Sequence, residues 1–491
     1  MSRTLPLLGA LLTLTTPLLS AAQPVERSSP LSVEQIMQEP ETWVGDWPEN
    51  ARWHENGQAL YFDWNPEGQF PSDSLYKVSR SGGEPQKVSS EERRSHPPTF
   101  DGWHHGEHVY TDDFRRKVYA ADGDLYLYDR STDTQTRLTD TRVRESTPRF
   151  DLDGERVLFQ REDNLFALTL STGLVRQLTD LRSGSAPEEE DSTAQEQFLK
   201  EQQTALFETL KEEKEDQADN PPPTYHYGDQ APHQLQMGPQ ERFVSFTQET
   251  EPPEVEQTVV ADYVTLSGFA EVERARPKVG IPPEDFSLYL QDLERDTTYE
   301  VNLHQLPGAY DTPKYLQEKG VEQDSSEAKR ALYSYGPYWS PDGEHAVLVV
   351  RANDNKDRWI VRLNPSTGDL TVLDRQHDDA WIGGPGIGSY GGPGTVGWMP
   401  GPESGSRAGS DRFYFQSEAT GWSHLYTVNV ETGEIEQITS GEFEVSDPHL
   451  SRDGSTWTFT STEKSPHERH VYRMSADGGE RTRLTSEAGM Y

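Results

Sequence analysis

The residues whose type and setting most suggest catalysis are two serines in glycine-bearing segments. A nucleophile elbow requires Gly-x-Ser-x-Gly, because only glycines let the strand-to-helix turn tighten enough to expose the serine hydroxyl. The segment Gly421–Leu425 has leucine where the second glycine belongs, and the segment Ile387–Gly392 lacks the first glycine. We therefore predict that Ser423 and Ser389 lie in structural turns, and that neither is a hydrolytic nucleophile.

Histidines and paired acids could form metal sites, but their spacing argues against it. The segment Trp103–His108 contains three histidines in a turn-like context, and zinc requires three or four rigidly held ligands. The acid pairs Asp112–Asp113 and Asp378–Asp379 lack the spacing of a calcium loop. Cysteine is absent, so no thiolate can serve as ligand or nucleophile. We predict no metal and no cofactor.

A phrase that closes a strand pair recurs six times along the chain. Each copy has a turn bearing Gly or Asp, then a polar-apolar alternation ending on Leu-Thr or a near equivalent. Apart from one long gap the copies are about 40 to 65 residues apart, which is typical of a repeated supersecondary unit. The copies are Arg80–Ser89, Ser131–Thr139, Ser171–Thr179, Ser366–Asp374, Glu431–Thr439 and Asp477–Thr485.

An opening phrase precedes each unit. In Tyr338–His345 an aromatic pair is followed by Ser-Pro-Asp-Gly, and the apolar strand Ala346–Val350 comes next. Pro presets φ and Gly accepts positive φ, so the chain reverses into an antiparallel partner. Four short strands per unit indicate an all-β fold: a β-propeller of seven to eight four-stranded blades with one inserted amphipathic helix. Seven blades are visible, near 51–90, 98–141, 146–181, 240–303, 335–375, 396–441 and 445–487.

The first residues read as an export signal. Residues 1–22 contain a basic residue, a short apolar stretch and a small-residue cleavage site, and the apolar stretch is too short and too proline-broken to span a bilayer. We predict cleavage after Ala22, a secreted or periplasmic location and no membrane span after cleavage. Residues 23–50 form a lead segment, and 51–491 the propeller.

One segment, residues 183–231, interrupts the repeats. It predicts a helix from Ser192 to about Asp216 with charge on one face, ended by three prolines. Two interpretations remain open: a functional element docked on the propeller or a partner, or an acidic surface excursion. The apolar face consists of Phe198, Leu199, Ala205, Leu206, Phe207 and Leu210.

Charge narrows the possible partners. The chain has 45 basic and 84 acidic residues, a formal net charge of −39, and its basic residues are 33 Arg and 12 Lys. Such a surface repels nucleic acid and anionic membrane. We expect a solvated acidic surface rather than a dedicated cation-binding role.

Several segments together resemble a known family. Gly421–Tyr426, Gln437–Val445 and His470–Thr485, with the opening and closing phrases, resemble the N-terminal propeller of dipeptidyl peptidase IV-type members of the prolyl oligopeptidase family. Arg276–Gly280 is similar to that family's Pro-Lys-Ala-Gly signature. The resemblance extends from about residue 31 to the end.

The resemblance implies a two-domain serine exopeptidase, in which the propeller gates and binds peptide and an α/β-hydrolase domain supplies Ser, Asp and His. It also implies an acidic pair that holds the substrate's amino terminus. Glu212 and Glu213 are a possible counterpart in the insertion, although ordinary helix-surface acids explain them too. We expect this chain alone to be inactive, with a peptide substrate or a hydrolase domain on a separate or missing segment as partner.

Two further classes stay open. The chain could be a free-standing TolB-like propeller that binds a protein or peptide. It could also be a propeller enzyme with acids around a central channel, although no paired carboxylates at a readable spacing support this. The oligomeric state is left open.

Overall fold

The computed structural model is built almost entirely of antiparallel strands. It describes residues 32–37, 48–54, 56–66, 74–90, 92, 109–111, 113–186, 221–249, 258–275, 286–312, 314–320, 329–388, 392–401, 411–451 and 453–491.

Seven antiparallel sheets follow one another along the chain, and we call them blades 1 to 7. Blade 1 contains β1 (Glu49–Trp53), β2 (Ala59–Asp63), β3 (Leu75–Ser79) and β4 (Gln86–Lys87). Blade 2 contains β5 (Arg116–Ala121), β6 (Asp124–Asp129) and β7 (Thr134–Arg137). Blade 3 contains β8 (Glu145–Phe150), β9 (Arg156–Arg161), β10 (Asn164–Thr169) and β11 (Val175–Gln177).

Two short strand pairs accompany blade 4. The strands β12 (Asp180–Arg182) and β13 (Thr224–His226) pair in parallel before it. Blade 4 contains β14 (His233–Met237), β15 (Phe243–Glu249), β18 (Phe286–Asp292) and β19 (Thr297–Glu300), and the hairpin β16 (Val259–Asp262) and β17 (Glu271–Arg274) is inserted between β15 and β18.

The last three blades are the most regular. Blade 5 contains β20 (Leu332–Trp339), β21 (Ala346–Ala352), β22 (Asp357–Leu363) and β23 (Leu370–His377). Blade 6 contains β24 (Val396–Trp398), β25 (Arg412–Ser417), β26 (His424–Asn429) and β27 (Ile435–Gln437). Blade 7 contains β28 (Val445–Leu450), β29 (Thr456–Ser461), β30 (His470–Ser475) and β31 (Thr482–Arg483).

The described residues therefore form a seven-bladed β-propeller, which confirms the predicted fold class. Blade 1 belongs to a compact unit that ends at Phe100, and blades 2 to 7 belong to a second unit, Asp101–Tyr491. The helical elements with defined bounds among the described residues are short: α1 (Val33–Ile36), a 3-10 turn (Leu303–Gln305) and α2 (Lys314–Glu318). None of these helices is long and apolar enough to cross a bilayer.

The cores lie between successive blades of the second unit. On β21, Leu348 and Val350 pack in a cluster with Leu290 of blade 4, while Val347 packs in a different cluster with Phe413 of blade 6. Because a strand between two neighbours buries both faces, its sequence is a continuous apolar run rather than an alternation. The burial of Ala346–Ala352 along its whole length explains that run.

The recurring Leu-Thr phrase has a local structural cause. In blades 2, 3, 6 and 7 its threonine hydroxyl accepts a hydrogen bond from a backbone N–H at the start of the blade's next-to-last strand (β6, β10, β26 or β30), which fixes the end of the last strand. The donor and acceptor pairs are Leu125 and Thr139, Leu165 and Thr179, Leu425 and Thr439, and Val471 and Thr485, at 2.9 to 3.1 Å.

The opening phrase closes a tight turn between the first and second strands. Ser340 Oγ accepts a hydrogen bond from the His345 backbone N–H at 2.9 Å, and Gly343 between them has φ of 76°. Ser451 Oγ makes the same bond with Thr456 in blade 7. The predicted reversal into an antiparallel partner is confirmed in both blades.

Blade 4 differs from the prediction in two ways. It begins at His233 rather than near residue 240. The sequence pattern missed its first strand, β14, because that strand has only Leu235 and Met237 as apolar residues and follows a proline-rich stretch. The β16–β17 hairpin was also not predicted. The predicted helix from Ser192 to about Asp216 lies outside the described residues, as do the predicted signal 1–22 and the Arg276–Gly280 signature.

Candidate functional site

Blades 2 to 7 have two ends that differ in the length of their connections. Because neighbouring strands are antiparallel, the turns from strand one to two and from three to four lie at one end of a blade, and the remaining loops lie at the other. At the first end, the short-turn face, connections have six residues or fewer, apart from β24–β25. At the other end, the long-loop face, lie the described parts of four longer connections: β11 to β14, β15 to β18, β19 to β20 and β23 to β24. Binding residues concentrate on loops held by a rigid scaffold, so the long-loop face is the candidate site.

A single buried carboxylate organises part of this face. Asp357, 1% exposed at the start of β22, accepts hydrogen bonds from Arg330 Nη1 at 2.6 Å and from Arg375 Nε at 2.9 Å. Its Oδ1 also lies 3.0 Å from His377 Nδ1. Burial opposes ionisation, but the bonds from Arg330 and Arg375 hold the pKa of Asp357 below its usual value. Asp357 therefore links Arg330, in the connection before β20, to Arg375 and His377 on β23.

The acid pair Asp378–Asp379 starts the loop between β23 and β24, residues 378–395, which we call the β23–β24 loop. Lys314 Nζ on α2 donates to Asp379 Oδ2 at 2.8 Å, and this bond lowers the pKa of Asp379. Asp378 Oδ1 accepts a hydrogen bond from the Trp381 backbone N–H at 2.9 Å, which lowers the pKa of Asp378. Both acids hold the loop start and its neighbour α2 in place.

Three buried side chains from blades 5 and 6 hold the middle of the β23–β24 loop. Each donates to one loop carbonyl, so the loop path is fixed by its backbone and not by its side chains. The bonds run from Arg351 Nη1 to Ile387 O (3.1 Å), from Arg358 Nη2 to Pro393 O (2.8 Å) and from Ser423 Oγ to Pro385 O (2.6 Å).

The two arginines are fully buried, and neither forms an ion pair with a described residue. Burial, together with the positive charge of Arg351, lowers the pKa of Arg358 to about 10. Arg358 Nη1 donates to the Gln416 carbonyl at 2.9 Å and to Gln376 Oε1 at 3.2 Å. Because a buried guanidinium is costly without acceptors, the loop carbonyls are part of what keeps it stable.

Glycines let the β23–β24 loop fold back on itself. Gly394 has φ of 84°, and a Cβ on it would lie 2.3 Å from the Gly386 carbonyl oxygen. The Thr395 backbone N–H donates to that same carbonyl at 2.8 Å. Only a residue without a side chain permits this approach.

The loop presents an aromatic ring and carboxylates. Trp381 is 61% exposed. Glu418 packs against Gly384, where an added Cβ would lie 2.0 Å from Glu418 Oε1, and burial together with the charge of Glu444 raises the pKa of Glu418. An exposed indole on the β23–β24 loop, and a carboxylate from the β25–β26 connection that packs against the same loop, are group types that suit a cation such as the ammonium of a peptide.

The environment of Ser423 supports the prediction that it is not a nucleophile. The residue is fully buried and its hydroxyl donates to a carbonyl. The adjacent His424 has both ring nitrogens engaged, Nδ1 with Thr439 Oγ1 at 3.1 Å and Nε2 with the Gly441 carbonyl at 3.0 Å. A carbonyl only accepts, so Nε2 carries the proton, and no base is left for Ser423.

Other predicted site residues lie outside the described parts of the chain. These are Glu212 and Glu213, Ser389 and the histidines of Trp103–His108. The Arg351, Arg358 and Asp357 groups were not predicted, because their partners are loop carbonyls and distant residues that no local pattern reveals. Within the described ranges, three possible metal ligands converge at one place, on the short-turn face: His345, Asp411 and Glu431.

The described strands do not form a sheet of the α/β-hydrolase type. An α/β-hydrolase is built on parallel strands. Among the named strands of the described ranges, the only parallel pair is β12 with β13, three residues each.

Comparison with known proteins gives one family match. Residues 235–491, more than half of the chain, match the model of the dipeptidyl peptidase IV (DPP IV) N-terminal region.

Three solved structures are similar to this chain. Dipeptidyl peptidase 4 of Porphyromonas gingivalis shares 16% identity at a TM-score of 0.48, covering 94% of this chain and 56% of that one. A protein provisionally named dipeptidyl aminopeptidase IV, from Bacteroides ovatus ATCC 8483, shares 12% at 0.45, covering 89% and 53%. A protein provisionally named TolB, from Agrobacterium tumefaciens, shares 15% at 0.31, covering 76% and 89%. The chain thus spans about half the length of the two peptidase chains.

Proposed function

The chain belongs to the dipeptidyl peptidase IV N-terminal region family, and from this premise we propose that it is the substrate-gating and peptide-binding part of a serine exopeptidase. The observation that carries the proposal is the family match over residues 235–491, which includes blades 4 to 7 and all of the β23–β24 loop. The hydrolase that cleaves the peptide is supplied by a segment outside these 491 residues.

The long-loop face is where the peptide is expected to bind. Its loops are held by buried groups such as Asp357, Arg351 and Arg358, so the face is organised before a ligand arrives. The exposed Trp381 of the β23–β24 loop, and Glu418, which packs against Gly384 of the same loop, offer a cation-accepting surface for the amino terminus of a peptide. Glu212 and Glu213, in the 178–232 connection that leaves the same face, are proposed to contribute acidic charge to it.

We propose export as well. Residues 1–22 have the features of a signal peptide, so the mature protein would act in a secreted or periplasmic setting. Mass spectrometry of protein recovered from the periplasm of an expressing cell should then give a chain that begins at Gln23. An intact Met1 in that fraction would contradict this part.

Equilibrium peptide binding tests the proposed function. A fluorescently labelled X-Pro peptide with a free amino terminus should bind the chain with saturable anisotropy. The E212Q/E213Q variant should bind it more weakly, by about 1 to 2 kcal/mol, because a charge-assisted contact to the ammonium group is lost.

A second acid pair of the same insertion supplies the control. The E188Q/E189Q variant removes the same charge from the same segment and should bind as the parent chain does. If both double variants bound the peptide equally weakly, the loss would reflect general attraction between opposite charges and not a specific contact with Glu212 and Glu213. The absence of saturable binding in the parent chain would overturn the proposal.

A further inference from the structure

Three potential metal ligands converge on the short-turn face, at the seam between blades 5 and 6. His345 belongs to the turn between β20 and β21, Asp411 immediately precedes β25, and Glu431 lies in the turn between β26 and β27. Their ligand atoms all lie within 4.8 Å of one another. These residues are separated widely in the sequence, so only the packing of the two blades brings them together.

The distances between these atoms fit a cation better than a direct ion pair. His345 Nε2 lies 3.4 Å from Asp411 Oδ1 and 4.0 Å from Glu431 Oε1. Both distances exceed the ordinary range for a hydrogen bond, about 2.7–3.2 Å. Two ligands each about 2.1 Å from a tetrahedral metal ion are themselves about 3.4 Å apart. The three groups thus surround a space close to the size that one divalent ion needs.

The surrounding residues fix the His345 ring and the backbone segments that bear the two acids. The His345 ring stacks on Trp398, with ring centroids 6.3 Å apart and planes 22° apart, and its backbone N–H is held by Ser340. The Val430 backbone N–H donates to the Asp411 carbonyl at 2.7 Å, which keeps the segments bearing Asp411 and Glu431 adjacent. The imidazole therefore loses little freedom when it binds an ion, and the two acids stay on adjacent segments.

We propose that His345, Asp411 and Glu431 form a divalent transition-metal site, of which Zn²⁺ is the best-fitting occupant, that fastens blade 5 to blade 6. One imidazole nitrogen and two carboxylate oxygens suit Zn²⁺ better than Ca²⁺ or Mg²⁺, which take oxygen ligands. The carboxylates are partly exposed, Asp411 at 49% and Glu431 at 60%, so an ion has access and water can fill its remaining positions. The ion would also offset the repulsion between two carboxylates on a chain of net charge −39.

Calorimetric titration of ZnCl₂ into chelator-treated full chain tests the site. Excess CaCl₂ in the buffer occupies unspecific acidic groups, so a specific site should still take up one Zn²⁺ per chain. H345Q and E431Q should each weaken this binding roughly tenfold or more. Replacing Zn²⁺ by Co²⁺ should give visible absorption bands that both substitutions abolish.

The control lies in the same turn as Glu431. E434Q removes an equal charge three residues away and should leave the affinity unchanged. If H345Q does not fold, as judged by circular dichroism, E431Q still decides the question because its side chain is mostly exposed. Zn²⁺ binding that is absent, or that is the same in E431Q and in the parent chain, would overturn the proposal and leave an ordinary interblade charge cluster.

Discussion

Asp357 is the charged residue on which the long-loop face depends most. It is buried and receives two guanidinium groups, so the substitution D357N leaves Arg330 and Arg375 without their shared carboxylate. Loss of one member of a buried ion pair is expected to lower the free energy of unfolding by about 3 kcal/mol at pH 7. Urea unfolding of both proteins measures this loss.

The difference in the free energy of unfolding between D357N and the parent chain should depend on pH in a definite direction. The folded-state pKa of Asp357 is lowered, so its contribution is present above its unfolded pKa of about 3.9 and is lost as the pH falls through the folded value. The difference between D357N and the parent chain should therefore shrink below about pH 4. D311N, which removes a mostly exposed acid paired with the same Arg375 at 3.4 Å, should cost less than about 1 kcal/mol. A D357N effect as small as that of D311N would contradict this role.

Residue chemistry could be predicted from the sequence only where it depends on neighbours along the chain. The missing glycine beside Ser423 predicted a structural turn, and the buried hydroxyl supports this. The convergence of Arg351 and Arg358 on one loop could not be predicted, because their acceptors are backbone carbonyls that carry no sequence signal. The cluster of His345, Asp411 and Glu431 could not be predicted either, because these residues are far apart in the sequence and only the packing of the blades brings them together.

At the scale of elements, the β23–β24 loop is the clearest case of a backbone shape set by glycine. G394A places a methyl group 2.3 Å from the Gly386 carbonyl and forces alanine into positive φ. We expect a loss of about 2 kcal/mol or more in the free energy of unfolding, with faster proteolysis inside residues 378–395.

A nearby glycine provides the matched control for that loop. A Cβ on Gly392 would meet nothing within 4 Å, and its φ is not in the positive region. G392A should therefore match the parent chain within about 0.5 kcal/mol. Equal stability of G394A and the parent chain would show that the loop does not fold back as described.

Strands could be predicted from the sequence where a hydrophobic pattern stood next to a recurring turn sequence. The apolar strand Ala346–Val350, predicted to follow the opening phrase, lies within β21 (Ala346–Ala352). The β16–β17 hairpin escaped prediction because both of its strands are exposed, so neither has an apolar face that burial would require. Its connection exposes Tyr263, Val264, Leu266 and Phe269.

At the scale of the whole molecule, repetition made the fold the most predictable property. Each blade has to bury its faces against a neighbour, so similar opening and closing phrases recur along the chain. Function does not follow from the propeller fold in this way, since many propellers share it. Membership in the DPP IV N-terminal region family narrows the possible functions, and we propose the long-loop face as the peptide-binding surface.

The most direct test of the central claim, that this chain recognises peptide without a nucleophile of its own, is a combined turnover and labelling experiment. The purified chain is incubated with X-Pro and X-Ala chromogenic peptides and, separately, with a fluorophosphonate probe, followed by peptide mapping. We expect intact peptide and no labelled serine. Turnover that the probe abolishes, with the label on Ser423 or any other serine of the chain, would contradict it.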